Sequence, residues 1–346
     1  MKRGLNKVKV FYVGRFPGPY GGVTLKNKML YENLLKHVKI EKVELGLIRK
    51  MNIKEIIKLC IALINPSSTL LIGAASTSRK ILTGFLYKFN RKALNKSILF
   101  VMGGIASRII AEDPKYSKWV SGYKCVYVQT KGMKRELDEV GMTNVRILPT
   151  CRENPGVLPE VKQQNDKELR CVFFSLISKE KGADIVLEAA DLLRKKNIDF
   201  SIDFYGHIDE NYTSEFKANI NKNNNVNYCG IFRPDQESVY EKLQEYDVLL
   251  FPTRWKAEGV PAILVESKIA SLPVIASDTN YNSEIIAHEK DGLILKQNNS
   301  FQLVNEIERV NLDRSWLKQM KYNAKLSSDR YLIENYILDI VDMLKN

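Results

Sequence analysis

Short β-branched and aromatic runs alternate along this chain with stretches whose apolar positions recur at helical spacing. The first run, residues 8–13 (VKVFYV), leads into a Gly/Pro loop and a helical pattern near 23–36. Residues 42–48 (KVELGLI) predict a second strand and 52–64 a second helix. TLLIG (69–73), ILFVM (98–102), CVYVQ (125–129) and VRIL (145–148) continue the series. Residues 149–168 have no periodicity and three prolines, which reads as a linker. The alternation then resumes. Strands are predicted at 169–175, 199–206, 226–230, 247–252, 273–277 and 292–295, and helical segments fill 300–345. Several strands are continuous apolar runs, the pattern of strands buried on both faces.

Strands alternating with helices predict parallel sheets covered on both sides. Two such series predict two Rossmann-like α/β domains: residues 1–150, then a linker at 151–168, then 169–346 ending in terminal helices. The length of 346 residues agrees with two cores. In such sheets ligands bind outside the C-terminal strand ends, so a cleft between the domains is the expected site. The first loop lacks the GxGxxG dinucleotide fingerprint.

Charge divides the chain. Residues 1–150 hold 28 Lys+Arg and 9 Asp+Glu, a balance of +19; residues 151–346 hold 25 and 31, a balance of −6. The basic half is expected to face an anionic partner. Within it, residues 76–96 (STSRKILTGFLYKFNRKALNK) form a basic amphipathic pattern, which suits a membrane interface or a helix packed on a sheet. No recognised nucleic-acid motif accompanies the charge, and no nucleic-acid partner is expected. No apolar run approaches the ~20 residues of a membrane span, and residues 1–7 lead straight into a strand without a signal-peptide pattern. A cytoplasmic protein, peripheral on the inner membrane face, is the expectation. The five cysteines are scattered and form no CxxC pair, which argues against a zinc site or a disulfide framework.

The most informative stretch is 258–275 (EGVPAILVESKIASLPVI). Gly259 and Pro261 mark a turn into a helix, with Glu258 at its mouth and Glu266 more than a turn further along. Two carboxylates at different depths of a cleft can each bind hydroxyls, of a sugar and of a ribose. They can equally be two ordinary glutamates near a helix start.

This segment resembles the E-x7-E signature of retaining GT-B glycosyltransferases of the family 4 type. Residues 246–252 (YDVLLFP), 270–275 (ASLPVI) and 282–286 (NSEII) agree with the family's flanks. Residues 178–182 (SKEKG) are similar to its lysine-glycine turn, and Gly21-Gly22-Val23 to its glycine loop. The resemblance is close over about 170–300 and looser over 1–150. It implies a GT-B fold, with an acceptor-binding first domain and a nucleotide-sugar-binding second domain. It also implies roles for individual residues. Glu266 would hold the ribose, Glu258 the donor sugar, and Lys181 would offset charge on the diphosphate leaving group. Backbone amides at Gly21 and Gly22, and at Gly259, Val260, Pro261, Ala262 and Ile263 where they carry a proton, would face the donor.

Two departures stand out. The family's usual Arg, five residues before its lysine, is Leu176 here, leaving Arg15, Arg254 and Lys256 as candidate second cations. The usual mid-domain His is replaced by the turn 102–105 (MGGI), so Gly103, Gly104 and His207 become candidate sugar or acceptor contacts. No Asp-x-Asp metal motif stands at a strand end, and neither cofactor nor metal is expected. The resemblance implies a UDP-sugar donor, a glycan acceptor on a lipid, and a place in bacterial capsule or exopolysaccharide synthesis. The rival expectations are a degenerate member that binds nucleotide-sugar without transfer, and a nucleotide-sugar epimerase on the same fold.

Overall fold

The computed structural model describes residues 9–18, 21–156 and 167–345. Most of the linker expected at 151–168 lies outside the described residues. The chain divides into two compact units. The first comprises residues 1–153, Ala257–Val260 and Leu332–Asn346; the second comprises Asn154–Lys256 and Pro261–Tyr331. Two parts of the expected 169–346 domain therefore belong to the first unit. Leu332–Asn346 leave because Ile333, Ile337, Ile340 and Val341 bury their side chains in the first unit's core. The Ala257–Val260 loop leaves because its backbone is hydrogen-bonded there.

Each unit is built on a six-stranded sheet in which every pairing is parallel. In the first, β1 (Lys9–Gly14), β2 (Ile40–Glu44), β3 (Ser68–Gly73), β4 (Ile98–Phe100), β5 (Cys125–Val128) and β6 (Val145–Ile147) run in the order β2-β1-β3-β4-β5-β6. In the second, β7 (Leu169–Phe174), β8 (Phe200–Tyr205), β9 (Val226–Gly230), β10 (Val248–Phe251), β11 (Val274–Ser277) and β12 (Gly292–Leu295) run β12-β11-β10-β7-β8-β9. The twelve predicted strands are all present. β3 and β10 are buried at every position, as their continuous apolar runs require.

Two predicted boundaries move for local reasons. The second strand stops at Glu44, whose carboxylate caps the short helix Leu45–Arg49 by accepting from Gly46 N at 3.0 Å. The amphipathic pattern at 76–96 breaks at Asn90 into helices Ser76–Phe89 and Arg91–Leu94. Asn90 accepts from Ala93 N and donates to Leu63 O at 2.8 Å.

The strand orders locate the sites. In each sheet the first strand in sequence is flanked by strands reached in opposite directions: β1 lies between β2 and β3, and β7 between β8 and β10. The crossover helices leave from opposite faces at such a point, and a crevice opens at the C-terminal strand ends. In the first unit Asn27, fully buried on helix Gly22–Leu35, ties that point together. It donates to Arg15 O and Gly73 O, both at 2.8 Å, and accepts from the Tyr12 hydroxyl at 3.0 Å. A Cβ on Gly73 would lie 2.0 Å from the Asn27 amide oxygen, so only glycine fits there.

Candidate functional site

In the second unit the loops after β7 and β10 meet at the switch point. The turn from Ser178 to Gly182 leads into helix Ala183–Lys195, with Gly182 as its N-cap at φ +80°. Lys181 N donates to Ser178 Oγ at 3.3 Å, and Gly182 N to Lys179 O at 3.0 Å. The β10 loop anchors this turn. Arg254 N donates to Glu180 O at 2.7 Å, and the Arg254 guanidinium reaches Lys179 O at 2.6 Å and Asp184. The β10 loop is itself fixed from below. Thr253 O accepts from Ser277, Thr279 and Asn298, at 2.6, 2.9 and 3.1 Å.

Lys181 is held between these loops. It is 8% exposed, and its Nζ lies 4.9 Å from the Trp255 ring centroid and 6.0 Å from that of Phe251. Those ring faces stabilise a cation where water is largely excluded. A cleft of about 430 Å³ opens beside the turn, lined by Leu176, Ser178, Glu180, Asp209, Tyr212 and Trp255. That volume is in the range of small-molecule sites. Hydrogen bonds from its own backbone N–H and from Ser178 keep the Glu180 carboxyl below the usual carboxylate range.

The predicted residues of this unit fall as follows. Leu176 stands in the cleft wall, so that position contributes no cation. Arg254 spends its guanidinium on the turn and is a positioning residue for it. His207 is exposed just beyond β8, and its carbonyl accepts from Ile177 N at 2.8 Å. Glu266 is half-buried on helix Ala262–Ile269, whose N-cap is Pro261, one residue ahead of the expected first turn. Ile263 is buried on that helix and Ala262 half-buried.

In the first unit the structure brings together residues that the sequence left apart. The Gly103-Gly104 turn after β4 packs on Ala257–Val260. Gly104 N donates to Ala257 O at 3.4 Å, and a Cβ on Gly104 would lie 1.7 Å from Glu258 O. Gln129 accepts from Gly103 N at 3.3 Å and donates to Thr150, whose hydroxyl reaches Val260 O at 3.3 Å. Glu258 and Gly259 are half-buried against this turn, while Glu266 belongs to the other unit. Gly21 and Gly22 open helix Gly22–Leu35 at the end of the β1 loop; both are exposed, and a Cβ on Gly22 meets nothing within 4 Å. Packing therefore does not require glycine at 22. Arg15 is half-buried just past β1. Sequence reasoning missed Trp255, Gln129, Thr150 and Asn298; only Trp255, a tryptophan between two cations in a post-strand loop, carried a signal.

The family model described as "Glycosyl transferases group 1" matches residues 157–327, which contain Lys181, Arg254, the glutamate pair and the cleft. Residues 157–327 form a glycosyl transferases group 1 domain. The amylovoran biosynthesis glycosyltransferase AmsK of Erwinia amylovora is 26% identical over 166 residues, covering 45% of this chain and 40% of AmsK. The Escherichia coli UDP-Gal:alpha-D-GlcNAc-diphosphoundecaprenol alpha-1,3-galactosyltransferase is 32% identical over 72 residues, 21% of this chain and 18% of that protein. The chain thus spans less than half the length of either curated relative. Among solved structures, Anabaena HepE in complex with UDP aligns with a TM-score of 0.70 at 14% identity, over 97% of this chain and 99% of that one. At that identity the match speaks for fold. The two-sheet α/β architecture around the glycosyltransferase domain is that of the GT-B transferases.

Proposed function

We propose that the protein is a retaining, metal-independent glycosyltransferase. It moves a sugar from a nucleotide-diphosphate sugar, UDP-linked, to a lipid-carried glycan acceptor in bacterial surface polysaccharide synthesis. The bond between the anomeric carbon and the diphosphate breaks with its electron pair leaving on the diphosphate. The acceptor hydroxyl oxygen forms the new bond on the same face and gives its proton to the departing diphosphate.

The observation that carries this reading is Lys181. It is a cation 8% exposed, backed by Trp255 and Phe251, at a helix N-terminus on the switch point of a glycosyl transferases group 1 domain. Charge builds on the leaving diphosphate in the transition state, and a fixed cation in a drier site stabilises it most. Glu266 holds the ribose hydroxyls and Glu258 the donor sugar. Backbone N–H groups at Gly21, Gly22, Gly259, Val260, Ala262 and Ile263 face the donor, and Arg15, Gly103, Gly104 and His207 serve the sugar or acceptor. The named activity of the Escherichia coli relative and the UDP held by HepE support the donor and acceptor classes. The surplus charge of residues 1–150 supports an anionic membrane as the surface where the acceptor is met.

Thermal stability with UDP, GDP and their sugars, with and without EDTA, tests the donor site. A ligand that binds the folded state stabilises it by about 2.7 kcal/mol at a hundred times its dissociation constant. The expected result is a shift with UDP that EDTA leaves unchanged and Glu266→Ala removes. Transfer assays on Lys181→Ala and Glu258→Gln follow. Wild-type rates in both variants, or binding without transfer in the parent, would overturn the roles assigned here.

A further inference from the structure

Helix Ile53–Ile64 is apolar on both sides. Ala62 and Leu63 are buried towards the sheet, yet Ile53, Ile57, Ile61 and Ile64 are 44–73% exposed. Their spacing of four, four and three residues makes one outward stripe about 16 Å long at 1.5 Å per residue. Helices apolar all round are normally covered. Among the described residues nothing covers this stripe. Met51 and Leu47 extend it at the helix's N-terminal end, both exposed.

A second apolar strip runs alongside. On helix Ser76–Phe89, Ile81 and Phe89 are 66% and 74% exposed, and the Phe85 ring lies 5.1 Å from that of Phe89, tilted by 46°. The two helices share one face of the sheet and are joined where Asn90 donates to Leu63 O at 2.8 Å. Ile64 and Phe89 each adjoin a partner of that bond, so the strips converge there.

Charge rims the face. Arg49, Lys50, Lys54, Lys88, Arg91, Lys92 and Lys96 are exposed on these helices and their ends. Residues 76–96 hold six Lys and Arg and no carboxylate. The carboxylate of helix Ile53–Ile64, Glu55, is buried and ion-paired with Lys58 at 2.6 Å. A self-complementary protein interface would place acids opposite these cations; among the described residues the two helices carry no exposed carboxylate, and Asp113 beside them is already paired with Lys80 at 2.8 Å.

We propose that this two-helix face docks on an anionic lipid bilayer, with the isoleucine stripe and Phe89 entering the acyl boundary and the cations meeting the headgroups. The inference deepens the membrane contact in the proposed function and adds helix Ile53–Ile64, whose exposed side the chain's pattern concealed. Apolar insertion and headgroup attraction act together, each cation strengthening binding about fivefold.

The test is flotation of the full chain with phosphatidylcholine vesicles, with and without phosphatidylglycerol, in the absence of nucleotide-sugar and glycan. Expected is flotation with the anionic vesicles that weakens as salt rises. The double variant Ile57→Glu/Ile61→Glu should bind about tenfold less or weaker still, and Lys88→Glu/Lys92→Glu should bind less at low salt. Leu312→Glu, at a still more exposed apolar position on the second unit, should float like the parent. All five sites are exposed, so melting temperatures should be kept. No flotation at low salt, or equal flotation of the isoleucine double variant, overturns the proposal. A dimer that the isoleucine substitutions dissolve, without vesicle binding, would assign the face to a second copy and also overturn it. Transfer is scored separately. Flotation without transfer spares this inference and sinks the catalytic reading; transfer to a soluble acceptor without flotation does the reverse.

Discussion

Replacing Gly182 with alanine tests the geometry that holds Lys181. Gly182 has φ +80°, and an added Cβ would sit 2.1 Å from Pro252 O and 2.8 Å from Pro252 C. Two costs add. The left-handed backbone costs a side-chain-bearing residue about 1–2 kcal/mol. The overlap is more than 1 Å inside van der Waals contact, against backbone rather than a flexible side chain, so the turn and the β10 loop must part. Overpacking of this kind costs about 1–3 kcal/mol. Pro252 O also accepts from Asn298 at 3.1 Å, a bond worth about 1 kcal/mol that a displaced carbonyl strains. The total is about 3–6 kcal/mol, a large share of the 5–15 kcal/mol typical of a folded domain. Gly230 supplies the control: its φ is +84°, and nothing lies within 4 Å of its missing Cβ. Gly230→Ala should therefore lose only the backbone cost. Urea unfolding of both variants reads the difference. Equal losses would refute the close approach of Gly182 to Pro252, and with it the claim that the β10 loop sets the lysine turn.

Three further outcomes follow from single groups. Lys26 is buried on helix Gly22–Leu35, and that burial lowers its pKa to about 8, with Cys151 and Arg152 acting on it more weakly. Between pH 8 and 10 this lysine holds its proton more firmly in the unfolded chain, so its own contribution to stability rises with pH. Lys268, also lowered to about 8 by burial, acts the same way, while the Cys125, Cys151 and Cys171 thiols, raised by burial, act oppositely; Lys26→Met should therefore lower the parent's slope by up to about 1.4 kcal/mol per pH unit in melting scans and stabilise the protein by up to about 3 kcal/mol at pH 7. An unchanged slope would refute the buried charge. Asp247 is buried and accepts from Lys321 at 2.7 Å and Arg170 N at 3.1 Å, so Asp247→Ala should cost about 3–5 kcal/mol in urea unfolding by orphaning the Lys321 ammonium. A loss under about 1 kcal/mol would sink that reading. Gly22→Ala should leave the melting temperature within a degree or so of the parent, since its Cβ meets open space, while weakening UDP binding measured by calorimetry. Unchanged UDP affinity would remove Gly22 from the donor site.

The sheets were legible because their strands are apolar runs bounded by turn residues, a signal that depends on a few neighbours. What depended on distant partners was hidden. Nothing in the pattern of residues 334–345 tells which core Ile337 and Ile340 enter; the fold puts them in the first unit's core, where Asp339 also accepts from the Tyr127 hydroxyl at 2.8 Å and Arg146 at 2.9 Å. Charge misled in the same way. Arg254 read as a spare cation because sequence shows a charge without showing where it is consumed, here on Lys179 O and Asp184. The stripe on helix Ile53–Ile64 is the opposite case. An apolar helix reads as a covered one, since burial is the ordinary fate of isoleucine. Its spacing of outward residues became visible only when the sheet fixed which side faces in. The glutamate frame combines both lessons. Its spacing along the chain was plain, but Gly104 receives Glu258 O so closely that a methyl group would occupy the same place. That approach places the first glutamate with one sheet while the helix carrying Glu266 packs with the other. Spacing alone left the pair as two ordinary glutamates and a family resemblance singled it out, whereas a glycine 154 residues upstream of the first glutamate, invisible as a partner until folded, determines where that glutamate sits.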